Sequence, residues 1–425
     1  MMQAQSLPWT EPLELASGVD DDYWVLLYSS VRTDYSGRYS ILARGLAERI
    51  EASDFEKLAT RLSHDQPHFD NAWFGYLGYG LKNSLESLPH DTPHMFDLPD
   101  MCMMRFCEIY QFDHETKTLI LYSNKTPTPV SPRPIEQIIP AISSISSNMT
   151  REEYLQKAAS VIEHIHAGDL YQANLTRKFN GQFSEKPNGL ALFARLCEIS
   201  PAPYSAYISM GDTHIISSSP ELFLRSNDKG QILARPIKGT APRFDDKNKD
   251  DASRNSLAAS SKDKAENLMI VDLMRNDMSK TCEAGSVKTD SLYDITSHAT
   301  IHHMSSNISG RLKKNTHSLE MIKQCFPPGS MTGAPKIKAM KLCGALETQA
   351  RGAYSGAIGW FGGDNSCELS VIIRTLVVKS QQFEFQVGGG IVADSTPELE
   401  LSELLDKTKG ICRTLKLDRK KLENL

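Results

Sequence analysis

The chain has 425 residues, of which 40% are hydrophobic and 23% are charged, and its formal net charge at pH 7 is −5. This ordinary composition excludes a disordered or fibrous protein, and the lack of a basic excess argues against binding to DNA or RNA. The eight cysteines include no Cys-x-x-Cys pair. Their spacing therefore argues against a zinc ribbon or a disulfide framework and favours a reducing compartment.

The sequence shows no targeting or membrane segment. Met1 to Asp22 lack a basic start followed by an apolar run, so no signal peptide is predicted. The longest apolar stretch, Leu369 to Val378, contains Arg374 and is too short to span a bilayer. We expect a soluble, cytoplasmic protein.

In chain order, residues 1–122 alternate strand-like and turn-rich pieces, and residues 123–150 are rich in Pro, Ser and Thr. The latter composition indicates a connecting segment, which either separates domains or crosses one surface. Thr150 and Glu153 form a capping-box pattern, which predicts a helix to about His166. Beyond it, strands such as 371–378 follow one another more often than they alternate with helices, which is typical of an α+β protein.

Two predicted helices each carry a pair of acidic residues. Asp263 and Glu266 are three residues apart in the first helix, and Glu400 and Glu403 are three apart in the second. Each pair therefore shares one helix face. Two such faces can hold Mg²⁺ by one carboxylate apiece, with waters and substrate completing the shell. The alternative, which spacing alone favours, is two solvated faces with Glu403 paired to Lys407.

Glu221 and Lys238 each follow a strand-like segment. Glu221 comes after a proline in Ser-Ser-Ser-Pro-Glu-Leu-Phe. If it is buried, its pKa rises and it can act as a general acid. The alternative is a glutamate in the first turn of a helix, where the helix dipole stabilises its negative charge. Lys238 lies in Pro-Ile-Lys-Gly-Thr, between apolar residues and a glycine. A partly desolvated lysine there is a nucleophile, whereas an exposed or ion-paired lysine has no such role.

Glycine-rich and histidine-rich segments give weaker signals. Residues 327–336 look like a phosphate loop but lack Gly-Lys-Ser/Thr, which speaks against a nucleotide-binding module. Residues 388–390 are three glycines, which allow close approach of a ligand to the backbone. For His298, His302 and His303, packing or a substrate contact is favoured over a metal cluster.

Together and in this order, the segments from about Arg151 to Cys412 resemble the chorismate-utilising enzymes, which include anthranilate, isochorismate and salicylate synthases. The matching strings are SSSPELF, RPIKGT, DKAENLMIVDLMRND, HHMSSNISG, FPPGSMTGAPK, YSGAIGW, VIIRT and GGGIVADSTPELELSE. The resemblance implies a large α/β/β/α sandwich of two facing antiparallel sheets with outer helices. Residues 1–122 would complete this sandwich, 123–150 would cross its surface, and 151–425 would form the chorismate-binding catalytic region.

Two positions favour one branch of this family. Lys238 stands where anthranilate synthases carry alanine, and Gln172 stands where isochorismate and salicylate synthases carry the lysine that activates water. The resemblance therefore implies an enzyme that replaces the 4-hydroxyl of chorismate with an amino group. The product would be 4-amino-4-deoxychorismate, for p-aminobenzoate and folate synthesis. An enzyme that forms anthranilate is the nearest alternative.

The resemblance also implies roles for individual residues. Mg²⁺ held by Glu266 and Glu403 would take the ring carboxylate, with Asp263 and Glu400 ordering its waters. The enolpyruvyl carboxylate and the reacting ring would be contacted by Arg374, Tyr354, Gly239, Thr240, Gly389 and His303.

The implied chemistry uses one acid and one nucleophile. Glu221 would protonate the leaving hydroxyl while Lys238 attacks C2, and ammonia would then enter at C4 and expel the lysine. The chain shows no glycine-flanked cysteine elbow with a downstream His-x-Glu. We therefore expect ammonia to come from a separate glutamine amidotransferase subunit in a heterodimer.

Overall fold

The computed structural model describes residues 1–33, 35–63, 65–88, 92–94, 96–297 and 301–425. Within these ranges the strands are β1 (Gln3–Leu7), β2 (Tyr23–Tyr28), β3 (Tyr39–Ala52), β4 (Trp73–Leu77), β5 (Met101–Asp113), β6 (Thr118–Ser123), β7 (Ile142–Ser147), β8 (Gln172–Phe183), β9 (Tyr204–Met210), β10 (Thr213–Ser219), β11 (Leu222–Ser226), β12 (Gln231–Arg235), β13 (Ile237–Pro242), β14 (Lys288–Ser297), β15 (Ile301–Arg311), β16 (Gly333–Ala334), β17 (Ala357–Phe361), β18 (Cys367–Val371), β19 (Thr375–Lys379) and β20 (Gln382–Ile391). The α-helices are α1 (Pro12–Ala16), α2 (Glu56–Ala59), α3 (Arg151–His166), α4 (Gly189–Ile199), α5 (Lys247–Ala259), α6 (Ser261–Ser279), α7 (Ser318–Cys325), α8 (Lys336–Leu346), α9 (Pro397–Lys407), α10 (Lys409–Thr414) and α11 (Arg419–Glu423). Short 3-10 helices cover Tyr79–Ser84 and Gly329–Met331.

Antiparallel pairing joins these strands into one continuous sheet with two halves. In one half, β3, β2, β9, β10, β19, β20 and β8 follow one another. In the other half, β4, β17, β18, β11, β12 and β15 do the same. The long strand β5 pairs with both β3 and β4 and so connects the halves.

Alternating side chains show that the two halves face each other. Val25 of β2 and Cys102 of β5 lie in a core cluster built almost wholly from strand residues. Their neighbours Trp24 and Leu26 point the other way, into a cluster with α3, α4 and α9, and Met103 packs with α6 and α7. Because successive strand residues point to opposite faces, each half has one face on its partner and one under helices. The predicted α+β sandwich is confirmed.

Strands from the N-terminal part belong to the same sheet as the rest of the chain. β2 pairs with β9, and β4 pairs with β17. Residues 124–141 form no helix or strand and are mostly exposed. The division of the chain into functional parts stays a prediction. Among the described residues, no helix combines the length and apolarity required to cross a bilayer.

The predicted capping box forms at the start of α3. The Glu153 amide donates to Thr150 Oγ1 at 3.2 Å, and the Thr150 amide donates to Glu153 Oε2 at 2.7 Å. The helix ends at His166, two residues before Gly168, whose φ of 82° is left-handed. Both ends of this helix therefore follow from local sequence.

Removal of this cap tests whether the Thr150 side chain stabilises the start of α3. We expect Thr150→Ala to lower the free energy of unfolding by about 1 kcal/mol, because backbone donors of the first turn lose their partner. Urea denaturation of the full chain measures this change. Glu152→Ala in the same turn is the control, since its carboxylate contacts exposed Arg151 at 3.8 Å and takes no part in the capping box. Equal losses in the two variants would contradict a specific capping effect.

Candidate active site

Glu221 lies in the tight connection between β10 and β11 and not at the start of a helix. The residue is 5% exposed, and its carboxyl contacts the Ser330 hydroxyl and the Ile237 amide. Burial raises the pKa of Glu221 to about 7, although these hydrogen bonds and the charges of Lys238 and Arg374 oppose the change. A large share of the molecules therefore carry a proton on Glu221 at neutral pH, as a general acid requires.

Lys238 lies on β13 and reaches the same serine. It is partly buried, and its Nζ donates to the Ser330 carbonyl oxygen at 3.3 Å. Burial lowers the pKa of Lys238, and the carboxylates of Glu266 and Glu221 only partly offset this. The side chain of Lys238 therefore loses its proton more readily than that of an exposed lysine, which favours the nucleophilic amine form. The structure brings Lys238 and Glu221 to the two polar groups of one residue.

Glycine residues of β20 border the space beside Lys238. A Cβ atom on Gly390 would lie 2.1 Å from Gln172 Nε2 and 3.4 Å from Lys238 Nζ. Any side chain at this position would collide with Gln172, which therefore lies next to the lysine. The close approach requires glycine, as the three-glycine sequence predicts.

The four acidic residues of α6 and α9 face each other across a short gap. Lys262 Nζ lies 3.9 Å from Glu266 Oε1 on its own helix and 4.0 Å from Glu400 Oε1 on the other. The charge of Glu403 affects the pKa values of both Glu266 and Glu400, and Asp263 adds to the effect on Glu266. The two predicted pairs are therefore close enough to interact.

Burial and neighbouring charges shift the pKa values of these carboxylates in different directions. Burial raises the pKa of both Glu266 and Glu400. Glu400 Oε1 accepts from Ser395 at 2.6 Å, but its buried Oε2 has no hydrogen-bond partner among the described residues. Glu403 is 52% exposed in its side chain and pairs with Lys407 at 2.9 Å, which lowers its pKa. The i,i+4 pair that the sequence offers as an alternative thus forms.

These residues fit a divalent cation. Across the described ranges, no three His, Cys, Asp or Glu side chains are grouped closely enough to hold a metal by themselves. A site with one carboxylate from each helix, completed by waters and substrate, does not require three. The orphaned Glu400 oxygen and the mutual repulsion with Glu266 and Glu403 both favour added positive charge. Lys262 and Lys407 now supply it, and their half-exposed side chains can move into solvent.

Arg374 provides a buried positive charge that acts on Glu221. Its φ is 51°, a left-handed value that breaks the predicted strand 371–378 into β18 and β19. Burial lowers its pKa to about 10, and the charge of Glu221 only partly offsets this. His303, 3% exposed, lies beside it, with 3.4 Å between Arg374 Nη2 and His303 Nε2. The guanidinium is available for an anion.

The remaining candidates surround these groups. The Ser355 amide donates to the Ile372 carbonyl at 2.9 Å, which sets buried Tyr354 beside the segment that leads to Arg374. Gly239 has a φ of 88°, and a Cβ atom there would be 3.0 Å from the Asp263 carboxylate. Exposed Thr240 pairs in register with His303, and a Cβ atom on Gly389 would lie 3.0 Å from Glu400 Oε2.

Two alternatives lose support. Lys336, the lysine of the phosphate-like loop, donates to the Cys325 carbonyl at 2.7 Å and pairs with Asp277 at 2.6 Å. Both contacts give Lys336 a structural role and not a phosphate-binding one. His302 is fully buried between Ser297 and Asp250, at 2.8 Å and 3.1 Å, which is the expected packing role. His298 lies outside the described residues.

Sequence reasoning missed the residue that joins the acid to the lysine. The sequence pattern presents Ser330 only as part of the phosphate-like loop, yet it contacts both Glu221 and Lys238. Its occurrence in a Gly-Ser-Met-Thr-Gly turn was the available signal, because such turns bring backbone close to ligands.

Comparison with known proteins identifies the class. Residues 21–413 match the family model described as chorismate binding enzyme. The chain belongs to this family of enzymes, which the fold and the site geometry also fit.

Individual relatives show which members of the family the chain is similar to. The chain is 38% identical over 356 residues to aminodeoxychorismate synthase component 1 of Escherichia coli (strain K12), covering 82% of this chain and 77% of that one. It is 32% identical to anthranilate synthase component 1 of Streptomyces coelicolor, covering 81% and 73%. The solved menaquinone-specific isochorismate synthase of Escherichia coli superposes with a TM-score of 0.82 at 17% identity, covering 98% and 94%, which shows the shared fold. The predicted resemblance to the chorismate-utilising enzymes is confirmed, and several of the similar proteins are named aminodeoxychorismate synthase component 1.

Proposed function

We propose that this chain is a magnesium-dependent, amine-transferring synthase that converts chorismate and ammonia to 4-amino-4-deoxychorismate. It would act as the chorismate-using component of an aminodeoxychorismate synthase and so supply p-aminobenzoate and folate synthesis. The similarity to component 1 enzymes supports this proposal.

The observation that carries the proposal is the pairing of Lys238 with Glu221 through Ser330. The amine has a lowered pKa and the carboxyl a raised pKa, both because of burial. Their environments thus favour a neutral nucleophile beside a protonated acid, which is the combination that displacement of a hydroxyl requires.

Chorismate carries two carboxylates, and the site offers two sources of opposite charge. The Arg374 guanidinium, which lies 3.4 Å from His303, can bind the enolpyruvyl carboxylate bidentately, and Tyr354 flanks the segment that leads to Arg374. The acidic pairs of α6 and α9 would hold Mg²⁺ at the ring carboxylate. When bound, Mg²⁺ withdraws electron density from that carboxylate as a Lewis acid.

The proposed reaction proceeds in two displacements. The Lys238 amine forms a bond to C2 as the C4–O bond breaks, the ring double bonds shift, and Glu221 gives its proton to the departing hydroxyl, which leaves as water. Ammonia then bonds to C4, the double bonds shift back, and the C2–N bond to Lys238 breaks. The added nitrogen loses one proton, which restores the acid. Chorismate plus ammonia thus gives 4-amino-4-deoxychorismate plus water, and the enolpyruvyl group is retained.

Ammonia would come from a separate glutamine amidotransferase subunit. The name component 1 of the similar enzymes implies a second component. This supports a heterodimer in which the present chain binds chorismate and its partner releases ammonia.

A product assay tests the proposed function. The purified chain is incubated with chorismate, Mg²⁺ and ammonium, and the product is identified by mass spectrometry. We expect 4-amino-4-deoxychorismate, with no pyruvate released. Fluorescent anthranilate would support the C2-aminating alternative, and unchanged chorismate with active partner protein present would contradict both.

Glu221→Gln tests the proton donor. We expect this variant to bind chorismate normally but to lose about 100- to 10,000-fold in kcat, the usual contribution of a positioned acid. In the wild type, kcat/KM should fall above about pH 7, because the carboxyl with a pKa of about 7 must be protonated. Steady-state rates between pH 5.5 and 9 measure both effects.

The stability of the same variant separates chemistry from packing. Since folding raises the pKa of Glu221, its contribution to stability is complete below pH 4.5 and is lost as pH rises through about 7. Glu221→Gln should therefore unfold at a higher urea concentration than the wild type at pH 8. An intact kcat with weakened chorismate binding would show that Glu221 only positions substrate.

A further inference from the structure

One short segment, Ser330–Met331, supports both reactive side chains of the candidate site. The Ser330 carbonyl accepts from Lys238 Nζ at 3.3 Å, and the Ser330 hydroxyl contacts the Glu221 carboxyl. Ser330 and Lys238 are 92 residues apart in the chain. The relative placement of acid and amine therefore depends on whatever fixes this segment.

Arg351 fixes the segment from behind. Its Nη1 donates to the Met331 carbonyl at 2.8 Å, and its Nη2 donates to the Asn174 carbonyl at 2.8 Å. The Asn174 side chain donates to the same Met331 oxygen at 3.0 Å, and the backbone amide of Asn174 donates to the Thr332 carbonyl at 2.9 Å. The backbone that follows Ser330 is thus held by several donors that converge on two carbonyls.

The same guanidinium reaches the other side of the site. Arg351 Nη1 also lies 3.4 Å from Ser355 Oγ, in a residue whose φ of 67° is left-handed and which follows Tyr354. Arg351 therefore connects the acid and the nucleophile with the segment proposed to bind the enolpyruvyl carboxylate. One buried residue thus contacts the Met331 carbonyl, the Asn174 carbonyl and the Ser355 side chain.

A buried carboxylate holds Arg351 in place. Glu347 accepts from Arg351 Nε at 2.8 Å and from Nη2 at 2.7 Å, and its Oε1 also accepts from the Thr176 amide and hydroxyl at 3.1 Å and 2.7 Å. Arg351 and Glu347 are 3% and 6% exposed. Buried ion pairs of this kind are often no more stabilising than apolar groups of the same shape, so stability alone does not account for it. Its rigid, bidentate geometry suits positioning.

We propose that Arg351 is a positioning residue that acts through Ser330 to hold Glu221 and Lys238 at the mutual distance that the reaction requires. The proposal rests on the proposed function. It concerns the efficiency of the acid and the amine more than the binding of chorismate, because the contacts of Arg351 with the Met331 and Asn174 carbonyls, at 2.8 Å, are shorter than its contact with Ser355, at 3.4 Å.

The test replaces the ion pair as a unit, Arg351→Met with Glu347→Leu, so that no buried charge is left without its partner. We expect a loss of about 10- to 100-fold in kcat, because small displacements of reacting groups cost this much. The KM for chorismate should change by a smaller factor than kcat, since the replacement loses close contacts beside Ser330 and only the longer contact, of 3.4 Å, beside Tyr354. The matched control is Lys178→Met with Glu384→Leu, which removes another buried pair, 3.2 Å apart. That control should retain the kcat of the wild type.

The pH profile shows whether the effect passes through Ser330. The Ser330 hydrogen bond lowers the pKa of Glu221, so Ser330→Ala should move the alkaline limb of kcat/KM to higher pH. The ion-pair replacement should move it in the same direction, and adding Ser330→Ala to that replacement should move it no further. Arg351→Lys, which keeps the charge and fewer donors, should give an intermediate kcat.

Each outcome decides the proposal. Equal kcat and pH profiles in the wild type and the ion-pair replacement would overturn it, as would equal losses in the control pair. Should the replacement fail to fold, a wild-type kcat and alkaline limb in Arg351→Lys would overturn it instead. Failure of the wild type to form 4-amino-4-deoxychorismate would refute the proposed function, whereas a correct wild-type product with unaffected variants would refute only the role of Arg351.

Discussion

Glu266→Gln is expected to abolish turnover while leaving the fold intact. The substitution removes one charged ligand from the proposed cation site, which would have one carboxylate from each helix. The loss should exceed the roughly 10- to 100-fold that removal of an outer partner of a metal costs. Because the pKa of Glu266 is raised by burial and by neighbouring carboxylates, its neutralisation should not lower the stability of the metal-free protein. Steady-state rates at several Mg²⁺ concentrations and urea denaturation measure these effects.

Two comparisons make this test specific. Glu403→Gln should have the same effect on turnover, since Glu403 would supply the ligand from the other helix. Glu398→Gln is the control, because Glu398 is exposed in the first turn of the same helix α9. Calorimetric titration should detect Mg²⁺ binding to the wild type and to the control and weaker binding to the other two variants. Near-normal turnover in chelator-treated protein, or in either ligand variant, would refute the metal site.

Much of the fold could be predicted because its signals are local. The Thr150 cap, the glycine that ends α3 and the acidic pairs at i,i+3 all depend on residues within one or two turns. The broken strand at Arg374 could not be predicted in this way. An apolar run with one arginine reads as continuous strand, and only the surrounding structure holds Arg374 at a φ of 51°.

Sequence patterns suggested the candidate residues of the site but not the contacts that connect them. Composition and spacing allowed either a catalytic or an ordinary structural role for Glu221 and Lys238. The resemblance to the chorismate-utilising enzymes favoured the catalytic role. Burial, which sets the direction of both pKa shifts, arises from strands far apart in sequence. The contacts of Ser330 and Arg351 also join distant segments. Such contacts leave no periodic signal, so they appear only once the sheet is assembled.

Lys238→Ala is expected to change the product of the reaction. In the proposed reaction, the Lys238 amine bonded at C2 blocks that carbon and directs ammonia to C4, so its removal would leave C2 as the open electrophilic position. We therefore expect ammonia to add at C2, with elimination of pyruvate giving anthranilate, and no 4-amino-4-deoxychorismate above background. Fluorescence and mass spectrometry of the products measure the change. In the wild type, with ammonia withheld, an adduct should appear on the Lys238 peptide after quenching without borohydride.

Lys238→Arg separates a nucleophile from a positive charge. Arginine keeps a cation near Glu266 and Glu221 but is not deprotonated at the pH of the assay, so it cannot form the bond to C2. If Lys238 acts only as an ion-pair partner, Lys238→Arg should retain the 4-amino product, and Lys238→Ala should lose stability without a change of product. If it acts as the nucleophile, both variants lose the 4-amino product, and the arginine variant also keeps C2 partly blocked by its bulk. Formation of the unaltered 4-amino product by Lys238→Ala, with no adduct on the wild type, would refute the nucleophile while leaving chorismate as the substrate.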